Sequence, residues 1–111
     1  MTGSQARGSR STYLVERYWP GVSEALVAEA QQRLGAAAER LRREGIRIRC
    51  LSSILIPKEE SVFSLIEAAS EEDVAEANRR AEVPFDRILE VRTVASATRA
   101  SETPGQYRST R

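Results

Sequence analysis

An α+β fold is predicted by three features of this 111-residue chain. Short runs rich in Val, Ile, Leu and aromatic residues alternate with two longer segments whose apolar residues recur at helical spacing. Turn and cap residues punctuate every junction: Pro20-Gly21, Gly45, Pro57, Ser70 and Pro84. The resulting order is β-α-β-β-α-β, with residues enough for one core and none to spare for a second domain.

"TYLVERYW", residues 12–19, is the first strand, and Pro20-Gly21 stops it because neither residue extends a ladder. Ser23 caps a helix over 24–44, in which Val27, Ala30, Leu34, Ala37 and Leu41 fall on one face. Gly35 inside that helix weakens it a little and marks an expected close approach to the sheet, and Gly45 sits where a left-handed C-cap is needed. Residues 46–56, "IRIRCLSSILI", form the second strand, with Ser52 and Ser53 read as a bulge. A polar turn over 57–60 leads into the third strand, "SVFSLIEA", 61–68. Ser70 with Asp73 caps the second helix; Val74, Ala77, Asn78 and Ala81 line its inner side, and Pro84 ends it. "RILEVRTV", 87–94, is the last strand. Residues 1–11 and 95–111 are small, polar and poor in apolar residues, and read as disordered tails around a domain over 12–94.

Right-handed crossovers put both helices on one face of a four-stranded antiparallel sheet, the ferredoxin-like sandwich. Its other face is then bare. A solvated face should be cleanly polar, yet each strand carries apolar residues on both sides: Val15 is expected under the helices, while Leu14 and Glu16 lie on the bare face. Too little chain remains to cover that face from within. A second copy packed sheet to sheet would do it, giving a homodimeric α/β barrel.

Composition narrows the function. Between residues 12 and 94 there are 12 basic and 15 acidic residues, about −3, whereas nucleic-acid binding draws on a basic surface. No nucleic-acid partner is expected. No apolar run approaches a membrane span and the N-terminus lacks a signal-peptide core, so no membrane partner is expected either. The single Cys50 suits a reducing, cytoplasmic setting. Histidine is absent, which removes Ser–His and Cys–His mechanisms. No catalytic motif is present, and the chemistry points to a binding protein more than an enzyme.

The candidate ligand residues are Glu16, Arg17, Tyr18 and Ser53. Glu16 would sit in the space enclosed by a dimer, with Arg17 leaning to its rim; the plainer reading is an ion pair near a strand end. Tyr18 with Trp19 could stack a flat ligand or simply close the end of the core. Ser53 is a bulge residue or a hydroxyl donor. Cys50, on the side shared with Ile46 and Ile48, is a structural thiol. The enzyme alternative, a small monooxygenase- or isomerase-like dimeric barrel, would use Glu16 as acid and base after burial raised its pKa.

Three stretches in register, "YLVERYWPG" at 13–21, "SSILIPKEESVFSLIEAAS" at 52–70 and "EANRRAEVPFDRILEV" at 76–91, resemble a small bacterial family, domain of unknown function 4242, some members of which are described as nickel-binding. The resemblance implies a ferredoxin-like fold, usually dimeric, and a role in holding a metal ion. Nickel selects imidazole or thiolate donors. With no His, a metal site here would need the carboxylates of Glu16, Glu67 and Glu90, or two Cys50 thiols meeting across a dimer. An oxygen-only set suits magnesium, calcium or manganese better than nickel.

Overall fold

The computed structural model describes residues 10–96, and the expectations for the two tails fall almost wholly outside them. The elements are β1 (Ser11–Tyr18), α1 (Glu24–Arg43), β2 (Ile48–Ile56), a 3₁₀ turn (Pro57–Glu59), β3 (Ser61–Ala68), α2 (Glu71–Ala81) and β4 (Arg87–Val91). The sheet order is β2-β3-β1-β4 with every pairing antiparallel, so the ferredoxin-like βαββαβ fold is the one observed.

Local chemistry sets the boundaries. After β1, the amide of Val22 bonds the carbonyl of Trp19 at 3.1 Å, with Gly21 at φ +76° behind Pro20. That is a type II turn with its two favoured residues in place. Ser23 and Ser70 each accept a backbone N–H of the first helical turn, from Leu26 and Asp73 respectively. At the end of α1, Gly45 N–H bonds Arg42 and Ile46 N–H bonds Leu41, each at 3.0 Å. This Schellman closure uses Ile46, and β2 therefore starts two residues later than the alternation predicts. The same pattern ends α2, with Glu82 in the left-handed position at φ +58°. β4 stops at Val91, short of the predicted Val94, because its only neighbour is β1 and that pairing ends at Thr12↔Val91.

One face of the sheet is sealed by the helices. Tyr13 and Val15 of β1, Ile48 of β2, and Val62, Ile66 and Ala68 of β3 are buried. They lie beneath Leu34, Ala37, Ala38 and Leu41 of α1 and Val74 and Ala77 of α2. Each fully buried Leu, Ile or Val contributes roughly 1.5–3 kcal/mol. The alanines hold the helices close to the strands. Gly35 is not part of that contact: a Cβ placed there would meet nothing within 4 Å, so the expected close approach is corrected. The residue's position on the helix was right, but its side faces open space.

Candidate functional site

The opposite face carries no helix. Register places Thr12, Leu14, Glu16 and Tyr18 on it from β1, with Phe63 facing Glu16, Leu65 facing Leu14 and Glu67 facing Thr12. β4 adds Arg87, Leu89 and Val91, and β2 adds Arg49, Ile54 and Ile56. Its apolar members stay accessible, Ile54 to 49% and Leu89 to 38%. Two ion pairs rim it: Arg87 Nε donates to Glu16 Oε1 at 2.6 Å, and Arg49 Nε lies 3.6 Å from Glu67 Oε1.

Arg17, the next residue along β1, lies on the sealed side and is only 4% exposed. Its Nε donates to the Pro84 carbonyl at 2.8 Å, Nη1 to Ser64 Oγ at 2.9 Å and Nη2 to Asn78 Oδ1 at 2.8 Å. Asn78 is oriented by donating to the Val74 carbonyl at 2.9 Å, so its oxygen is left for the guanidinium. Ser64 Oγ also lies 2.8 Å from Ser53 Oγ, and Ser53 in turn donates to Gln31 of α1. A chain of neutral acceptors thus crosses the interior around one positive charge. Among the described residues Arg17 makes no ion pair. Burial pushes its pKa down to about 10, with the charge of Asp86 opposing the shift.

Beside this network a cavity of about 200 Å³ opens at the exit of β1. Its walls come from Arg17 and Trp19, from Arg33 on α1, and from Val83, Pro84 and Phe85 between α2 and β4. Tyr18 and Asp86 complete it at one side, where Asp86 Oδ2 accepts the Tyr18 N–H at 2.6 Å. Asp86 N–H donates in turn to the Glu16 carbonyl at 2.8 Å, so one residue ties the start of β4 to the end of β1.

The residues singled out from sequence therefore separate into groups. Arg17 and Ser53 meet through Ser64, and Arg17 and Tyr18 share the cavity. Glu16 points to the other face and pairs with Arg87, not with its neighbour Arg17; the ion pair read near the strand end exists with a different partner. The three carboxylates proposed for a metal do not converge. Glu90 is opposite Tyr13 and so belongs to the helix side, Glu67 is four positions along β1 from Glu16, and both Glu16 and Glu67 are engaged by arginines. Among the described residues no three His, Cys, Asp or Glu side chains gather in a set that could hold a metal ion. Cys50 is half-buried on the sealed side and burial pushes its thiol pKa up, opposite to what a thiolate ligand needs. The donors present in one chain do not fit nickel. The bulge is real but sits one position earlier than predicted: the register breaks between Cys50 and Ser52, making Leu51 the extra residue. Sequence reasoning missed Arg33, Ser64 and Phe85, whose roles come from contacts across the fold; no helix among the described residues is long and apolar enough to cross a membrane.

An antiparallel β2-β3-β1-β4 sheet under two helices, with no helix on the reverse side, defines a ferredoxin-like α+β protein. Residues 13–91 match the family described as nickel responsive protein SCO4226-like, and the chain belongs to that family. Among solved structures, SCO4226 from Streptomyces coelicolor A3(2) is similar with a TM-score of 0.63 and 19% identity, over 77% of this chain and 100% of that one. At that identity the likeness is one of fold. No curated protein matches the chain significantly.

Proposed function

We propose that this chain is a non-catalytic binding protein that works as a homodimer, its two open sheet faces packed together as an α/β barrel. The observation that carries the reading is the apolar face bearing Leu14, Ile54, Phe63, Leu65, Leu89 and Val91. Strand spacing of about 4.8 Å and a rise of about 3.4 Å per residue make that face roughly 19 by 24 Å, or on the order of 450 Å² in projection. That whole-face figure, charged residues included, falls in the middle of the largest apolar patches that monomers expose, about 300–600 Å². Side chains standing out of the plane raise its accessible area towards the ~800 Å² per partner of a standard interface. The occupant is a second copy because the charges on the face are already paired within the chain. Glu16 with Arg87 and Glu67 with Arg49 leave no unbalanced charge to repel an identical surface.

The acid–base alternative needs a Glu16 carboxyl free to trade a proton, and here a guanidinium 2.6 Å away engages it. The nickel of the family description comes to this chain without the donors nickel selects, so the dimer is expected to form with no metal added. Sedimentation equilibrium at micromolar concentration tests the assembly. A dimer that becomes a folded monomer in Leu65→Glu, at the centre of the face, is the expected result. A wild-type chain that stays monomeric at high micromolar concentration removes the proposal. Calorimetry with nickel, manganese and zinc is expected to give no saturable heat; a tight stoichiometric isotherm would reverse the metal part alone.

A further inference from the structure

The geometry points to a second, independent site: the cavity at the exit of β1 binds a small organic carboxylate, its charge met by Arg17 and Arg33 and its apolar body by Trp19, Val83 and Phe85. This goes beyond the dimer reading, since the cavity lies between the helices and the strand ends, and each chain holds a complete one.

A guanidinium as deeply buried as Arg17 is costly unless an anion compensates it, and among the described residues its hydrogen bonds go only to neutral oxygens, with Asp86 acting on its charge from outside hydrogen-bond reach. Three neutral acceptors satisfy hydrogen bonds without cancelling the charge. They also fix the guanidinium in one place, which is what a preorganised anion site requires. Arg33 supplies a second positive charge. Its Nε is pinned to the Ala81 carbonyl at 2.9 Å, while its outer nitrogen has only a loose 3.4 Å contact with Glu29 and remains able to turn to a ligand. Within the lining one carboxylate stands against these, Asp86, held by the Tyr18 N–H, while Glu29 lies outside it. Two positive groups and one negative leave the lining at a net single positive charge.

Size and surface choose the class of anion. A volume of about 200 Å³ is below the roughly 300–1,000 Å³ of pockets for drug-sized ligands. Three aromatic residues, a valine and a proline are five of the cavity's eight lining residues, which disfavours a compact, strongly hydrated ion such as phosphate and favours a carboxylate on a ring or short chain. Arg is also the side chain best shaped to take a planar carboxylate.

The chain's one tryptophan is Trp19, so its selectively excited fluorescence reports on this cavity alone. Titration of the full chain with cyclohexanecarboxylate is expected to change the emission saturably, while the uncharged cyclohexanecarboxamide and inorganic phosphate leave it unchanged. Arg33→Gln, at a partly exposed position where folding is safe, is expected to weaken binding about tenfold, the scale of one charge-assisted hydrogen bond. Asp86→Asn is expected to tighten it a few-fold by removing the opposing charge. Absence of a saturable change with the carboxylate, an equal response to the carboxamide, or an Arg33→Gln variant that binds as wild type would each overturn the proposal.

Discussion

Glu16 and Arg17 are adjacent in the chain and live on opposite sides of one sheet, and the two sides resolve the same materials differently. Beneath the helices, apolar residues are sealed and a charged residue is buried with them. On the far side, charged residues pair at the rim while Ile54 and Leu89 remain open to solvent. Hydropathy does not distinguish the two: "SVFSLIEA" contributes Val62 and Ile66 to one side and Phe63 and Leu65 to the other. Topology does. The general right-handed rule for crossovers sends both helices to the same side, so burial is allotted by topology and a partly apolar surface is left over.

The sharpest way to probe that contrast is at neighbouring positions of β3. Ile66→Ala should cost about 3 kcal/mol in urea unfolding, because a buried side chain is lost and its cavity cannot collapse fully. Leu65→Ala should cost well under 1 kcal/mol per isolated chain, with its main effect on the concentration dependence of unfolding. Equal costs in dilute protein would dissolve the distinction between the faces. Arg17→Met asks whether the sealed side depends on its polar network. It keeps the volume but strips Pro84, Ser64 and Asn78 of their donor, and about 2 kcal/mol of destabilisation is expected, seen as a lower urea midpoint with unchanged slope. Ser70→Ala, which removes the cap of α2, should cost about 1 kcal/mol and leave assembly untouched.

The smallest effect concerns pH at the outer edge of the helices. Arg80 holds the carboxylates of Glu44 and Glu76 below their ordinary pKa through hydrogen bonds of 2.8 to 3.0 Å. A carboxylate with a lowered folded-state pKa stabilises the fold above its ordinary value near 4.5. That contribution is lost as pH falls through the lowered value. Arg80→Ala should therefore lower stability by a constant amount at every pH above about 4.5, pH 9 included, and the gap from wild type should close as pH falls below that value, flattening the acid limb.

Much of the fold was legible because its signals are local. Pro20-Gly21 marks the end of the first strand, Ser23 and Ser70 name two helix starts, and the short apolar run "SVFSLIEA" after a polar turn names a strand, all without reference to distant residues. The site was less legible because its partners are not local. Arg17 draws on Ser64, Asn78 and Pro84, which stand 47, 61 and 67 positions away, and nothing in its own neighbourhood announces them. Alternation within "RILEVRTV" puts Glu90 on the side of Ile88 but cannot say which face that is; the pairing Tyr13↔Glu90 decides it. Ser52-Ser53 flagged a break in β2, yet which residue is surplus depends on register with β3, and the answer was Leu51.

That surplus residue bears on how copies of the chain can meet. β2 is a border of the sheet, and its outward N–H and C=O groups are a template on which another strand could dock sideways. An unmatched Leu51 kinks the border and breaks the even spacing such docking requires. Lateral growth, which has no natural end and leads to fibres, is thereby discouraged, while a closed two-fold union through the broad side terminates after a single addition.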